Sequence, residues 1–133
     1  MMAAAEPYRK VLLVLSAHVP SGRVLDAACA LCERMAAGLE IVSLGGRLPA
    51  DLLDATVKEV ARSGLSCQAV DKPDWCVEDL VDWANSRACV ATVMLPASAR
   101  GVTAANGQVD ADGWRRLSCP LVVVGRESID EQM

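Results

Sequence analysis

The stretch KVLLVLSAHVPSGRVLDAACALCERMAAGLEIVSL, Lys10–Leu44, decides how the rest of this chain is read. Its first six residues form a short Val- and Leu-rich run, the pattern of a strand buried on both faces. After a short loop, Ser21 can accept a hydrogen bond as an N-cap, Arg34 falls in a last turn, and Gly38 can end a helix. Leu25, Cys29, Cys32 and Ala36 stand at i, i+4, i+7 and i+11, which places them on one helix face. Leu39–Leu44 is then a second apolar strand. Strand, helix, strand at this spacing is a parallel crossover unit, and such crossovers are right-handed almost without exception.

The unit repeats outward. Leu48–Gly64 has the pattern of a helix with Pro49 in its first turn, Gly64 after its last, and a stripe of Leu53, Val57, Val60 and Ala61. Leu65–Val70 is a third strand. A helix follows KPDW, with Asp74 as its expected N-cap and Cys76, Leu80, Trp83 and Ala84 as its stripe. Val90–Leu95 and Pro120–Gly125 are the fourth and fifth strands. Between them lies MLPASARGVTAANGQ, Met94–Gln108, and then DADGW, Asp110–Trp114, a poor helix because of Gly113. The fold class expected is α/β: an open, mostly parallel five-stranded sheet with helices on both faces. It forms a single domain over 1–133 with its core at about 10–126 and a frayed tail at 127–133.

Composition narrows the function. Of the 133 residues, 53% are hydrophobic, enough for one sizeable core. With no Phe and one Tyr, that core must be aliphatic. A net charge of −4 argues against a nucleic-acid partner, which needs clustered Lys and Arg. No apolar run nears the roughly 18 residues of a membrane span. No export signal is visible at the start, so a cytoplasmic location is expected, with the six cysteines as reduced, packed thiols.

In open sheets of this kind ligands sit beyond the carboxyl ends of the strands, where strand order reverses. That rule selects the segments Ser16–Arg23, Gly45–Leu48, Asp71–Trp75 and Pro96–Gln108, within which Ser16, His18, Ser21, Arg23, Ser98, Arg100, Asn106 and Gln108 are candidate binding residues. Ser21, Gly22 and Arg23 open a helix, where amides and dipole favour an anion, although simple capping explains them as well. His18, the one histidine, has no nucleophile elbow beside it and fits either a loop or a pocket wall. Cys29 and Cys32 form a C-x-x-C, but two turns into the helix rather than at its start, where a redox thiol gains its low pKa. Asp51, Asp54, Glu59, Glu78, Asp79 and Asp82 space as solvated helix faces, and neither paired carboxylates nor a four-ligand metal set is expected.

Laid out in this way, Lys10–Arg126 resembles the universal stress proteins. The resemblance is carried by Lys10–Leu44, by KPDWCVEDLVDWANSRACVATVML (Lys72–Leu95), and above all by RRLSCPLVVVGR (Arg115–Arg126), where a Cys-Pro pair precedes a Val-rich last strand. It implies a homodimer paired through the last strands, here Leu121–Val124. Members that bind ATP carry an Asp after strand one and a G-x2-G-x9-G-(S/T) loop after strand four, whose amides hold phosphates. Here Ser16 stands at the Asp. Leu95 or Pro96 and Ser98 or Ala99 stand at the first two glycines, Gly107 at the third, and Gln108 at the Ser/Thr, so the resemblance adds Gly107 to the candidate binding residues. Proline has no N–H to offer. The expectation is a non-catalytic regulatory or binding protein, with an unidentified protein as a further partner and no cofactor held in the usual way. An adenine-nucleotide sensor with an altered loop is the alternative, and a thiol-redox enzyme the second alternative.

Overall fold

The computed structural model describes residues 9–15, 20–45, 48–96 and 114–124. In chain order the elements are β1 (Arg9–Leu15), α1 (Gly22–Met35), β2 (Ala37–Leu44), α2 (Ala50–Ala61), β3 (Cys67–Lys72), α3 (Val77–Asn85), β4 (Val90–Pro96) and β5 (Leu121–Val124). The strands form one sheet in the order β3-β2-β1-β4-β5, and every neighbouring pair is parallel. The expected architecture is therefore present.

Alternation along β1 distributes the core. Val11, Leu13 and Leu15 face one side with Leu39 and Ile41, where α1 and α2 supply Val24, Leu25, Ala28, Cys32, Leu53 and Val60. Leu12 and Val14 face the other side with Val42 and Leu44, beneath Val77, Leu80, Val81 and Ala84 of α3 and beside Trp114. Each fully buried Leu or Val contributes about 1.5–3 kcal/mol relative to exposure. With both faces covered, the central strands are largely apolar, the buried polar exceptions being Lys10, Glu40, Ser43 and Thr92.

Several boundaries differ from the sequence reading. Helix α1 stops at Met35, not at Gly38, which lies inside β2. Ala36 takes the left-handed turn instead, at φ 53° and ψ 46°, and its N–H reaches the carbonyls of Cys32 and Glu33. The buried stripe of α1 is Val24, Leu25, Ala28 and Cys32, so Cys29 is half-buried and Ala36 exposed. In α2, Pro49 is the N-cap rather than a first-turn residue, and Gly64 does adopt a positive φ of 92° beyond the helix end. Thr56 is buried in place of Ala61, and its hydroxyl donates to the Leu52 carbonyl at 2.9 Å. Strand β3 begins two residues later than expected.

Helix α3 is capped by Cys76, not Asp74. The Asp79 carboxylate accepts the Cys76 N–H at 3.0 Å, and the Cys76 thiol donates to Glu78 at 2.9 Å. Asp79 thus satisfies an amide at the positive end of the helix, and its side chain closes the turn one residue pair later than the sequence suggested.

Ala36 gives a direct test. A non-glycine residue in this region costs about 1–2 kcal/mol, part of which glycine returns through its greater freedom when unfolded. Ala36→Gly is expected to stabilise the protein by about 0.5–1 kcal/mol in urea denaturation, and Ala36→Val to destabilise it.

Candidate functional site

The strand order reverses between β1 and β4, so the chain leaves these two neighbours in opposite directions along the sheet. In open α/β sheets the ligand position lies above the carboxyl ends of such a pair. The strand ends beneath that position are apolar and buried: Leu15 and Leu95 are each 1% exposed. β4 continues one residue further than expected, so that Pro96 pairs with Val124 as the last rung between β4 and β5.

Of the candidate binding residues, Ser21 is the N-cap of α1 and Arg23 lies in its first turn. Ser16, His18, Ser98, Arg100, Asn106, Gly107 and Gln108 lie outside the described residues. Ser21 acts as a cap: its Oγ accepts the Val24 N–H at 3.3 Å and its carbonyl accepts the Leu25 N–H at 3.0 Å. The first turn of α1 carries no acidic side chain, so the positive end of its dipole is not offset there. Gly22 and Arg23 are exposed. The amides of a first turn have no partner inside their own helix.

The expected solvated carboxylates have specific partners in three cases. Asp79 caps α3. Asp82 meets Arg116 at 2.7 Å, in a pair whose side chains are 69% and 54% exposed. Glu78 is half-buried against Cys76.

Sequence reasoning missed a polar group inside the core. Glu40 lies mid-strand in β2, 4% exposed, and its Oε1 stands 3.1 Å from an Arg87 nitrogen. The contact is ionic rather than an aligned hydrogen bond, because Glu40 Oε1 and Arg87 Nη1 both lack a hydrogen-bond partner. Arg87 also lies 4.4 Å from the ring centre of Trp83, Trp83 meets Trp75 edge-on at 5.4 Å, and Lys72 lies 4.9 Å from Trp75. The signal was present in LEIVSL: a lone carboxylate in an otherwise apolar strand has to find a cation.

The thiols have the electrostatics of packing groups. Burial pushes the Cys32 thiol up to about 12, helped by the neighbouring Cys29 and Cys67. Burial likewise raises Cys67 to about 11, and burial together with Asp26 and Glu33 raises Cys29. A redox C-x-x-C needs the opposite shift, toward the thiolate. Even at the mouth of α3, burial and the Glu78 side chain raise Cys76. Among the described residues, no group of three His, Cys, Asp or Glu side chains could hold a metal ion. No helix among them is long and apolar enough to cross a membrane.

No protein-family model and no curated protein matches the sequence. Solved structures do match in three dimensions. A universal stress protein from Archaeoglobus fulgidus in complex with dAMP superposes with a TM-score of 0.61 at 16% identity, over 89% of this chain and 98% of that one. A universal stress protein in complex with cAMP gives 0.62 at 17% identity, over 88% and 97%. The universal stress protein UspA from Lactobacillus plantarum gives 0.57 at 15%, over 91% and 100%. The chain has the universal stress protein fold.

The thiol shifts set the alkaline stability. Below the ordinary thiol value of 9.0 the thiols are protonated in both folded and unfolded chains, and their contribution is fully present. Above it the unfolded chain ionises first, so stability is expected to fall from pH 9 toward about 11 for Cys67 and about 12 for Cys32. Urea denaturation at pH 8 and pH 10.5 measures this. Cys32→Ala is expected to be less stable at pH 8 but to lose less on the way to pH 10.5; equal losses in both proteins would remove Cys32 as the cause.

Proposed function

We propose that this chain is a regulatory or binding protein of the universal stress class, non-catalytic and cytoplasmic. It works as a homodimer and presents a protein partner with a crevice that does not take ATP through a glycine loop. The observation that carries this reading is Pro96. It ends β4 at the reversal point, paired with Val124, where an ATP-binding member of the class begins its glycine loop. A residue without an N–H cannot donate to a phosphate, and its ring holds the chain away from the close approach that glycine permits.

The dimer reading is supported by β5. Among the described residues it is an edge strand of four residues paired on one side, with Val122 and Val123 exposed at 36% and 45%. An exposed apolar edge is a template for pairing, and a second copy about a two-fold axis offers the same strand back. Catalysis by Cys29 and Cys32 is disfavoured by their burial and raised pKa values.

A second reading, an adenine-nucleotide sensor with an altered loop, is favoured by the dAMP and cAMP held by two of the fold neighbours. The uncompensated first turn of α1, with Arg23 on it, is where such an anion would gain most in this chain.

Native mass spectrometry of the purified protein separates the two. The first reading expects no retained nucleotide, and no rise in melting temperature with millimolar ATP, AMP or cAMP. The second expects a stabilisation that approaches about 2.7 kcal/mol at a hundredfold excess over Kd, weakened at least tenfold in affinity by Arg23→Ala. For the assembly, sedimentation at micromolar concentration is expected to give a dimer, and Val123→Lys a monomer of unchanged helix content. A wild-type monomer counts directly against β5 pairing.

A further inference from the structure

The end of α3 grips the chain just before β5. Asn85 Nδ2 donates to the Arg116 carbonyl at 2.9 Å, while Asn85 Oδ1 accepts the Ser118 N–H at 2.8 Å. One planar amide therefore uses its donor and its acceptor to bracket residues 116–118. One turn earlier, Asp82 pairs with the Arg116 guanidinium. That pair is exposed and screened by solvent, so it adds little by itself. Leu117 and Cys119 pack against the α3-side core, and the Pro120 carbonyl accepts the Val93 N–H at 3.0 Å, which opens the pairing of β5 with β4.

Within β5 itself, Leu121 packs against the α3-side core and Val124 against the core on the other face, while Val122 and Val123 are exposed. Four residues paired to a single neighbour form a short ladder, and such short strands are marginal without help from their flanks. Among the described residues, the side-chain hydrogen bonds nearest to it along the chain are those of the Asn85 bracket.

We infer that Asn85 is the positioning residue of the edge strand: it holds the 116–118 turn so that β5 is ordered, in register with β4, and available for pairing. The consequence for assembly rests on the homodimer reading above; the ordering of β5 does not. Asparagine suits the task because it has both a donor and an acceptor on a short stem. Leucine, of similar size, has neither.

Asn85→Leu removes both bonds, Asn85→Asp keeps the acceptor for Ser118, and Asp82→Ala removes only the exposed ion pair. Native-state hydrogen exchange reads β5 against β1 within the same protein, and sedimentation equilibrium reads the dimer. The expected result is amide exchange in Leu121–Val124 at least tenfold faster in Asn85→Leu with β1 unchanged. Asn85→Asp should be intermediate and Asp82→Ala close to wild type. Dimer Kd should rise at least tenfold in Asn85→Leu. Exchange in β5 that rises no more than in β1, or rises equally in Asp82→Ala, overturns the inference. A dimeric wild type with an equally tight Asn85→Leu dimer overturns its assembly consequence and leaves the homodimer reading standing. A monomeric wild type with faster β5 exchange in Asn85→Leu does the reverse: it upholds the ordering role and removes the dimer.

Discussion

Burial of β1 on both faces and both edges is the constraint from which the other placements follow. Its residues Val11 to Leu15 are between 0% and 1% exposed, and its backbone pairs with β2 on one side and β4 on the other. Over Val11–Leu15 the strand carries apolar side chains of either parity, and it forces a helix layer onto each face to exclude water. The odd-numbered residues choose α1 and α2, the even-numbered ones α3. Because the chain departs from β1 in one direction and from β4 in the other, the same centre that organises the core also sets the ligand position. Core and site are thus two ends of one strand pair.

The α3 layer is held by more than apolar contact. Glu40 enters it from β2, with Arg87 as its counter-ion, and Arg87 in turn covers Trp83. A buried ion pair gains little over an apolar pair of equal volume, but loss of one partner strands a charge in the core at about 3–5 kcal/mol. Its structural effect is therefore positional: a slide of α3 along the sheet would break this contact. The indole pair and Lys72 extend the same line of contacts to the carboxyl end of β3. The Asn85 bracket sits at the opposite border of this helix, against the lead-in to β5.

The α/β order, the five strands and the placing of helices on two faces were legible because periodicity reports which side of an element is wet. Helix ends were less legible, because they are settled by single residues whose alternatives are nearly equal in energy. At the end of α1, Gly38 is the better left-handed residue in isolation, yet Ala36 takes that conformation, because β2 gains rungs beside Arg9 and Lys10 by starting at Ala37. At the start of α3, Asp74 is the better N-cap in isolation, but Val77 has to reach the core and Asp79 can cap from within the helix. The Glu40–Arg87 contact was hidden because its partners are far apart in sequence. In the candidate site, the part made by a helix end, Ser21, was legible as a cap. The part that depends on loop conformation has no periodicity to read, so residue type alone had to stand for geometry.

Pro96 joins the ligand position to the edge. As the last rung opposite Val124, it places the exit of β4 level with the end of β5, and adjacent strands lie about 4.8 Å apart. A further strand added at the β5 edge would run about 10 Å from the β4 exit, two strand spacings away. Whatever pairs with β5 therefore stands beside the ligand position rather than across the molecule from it.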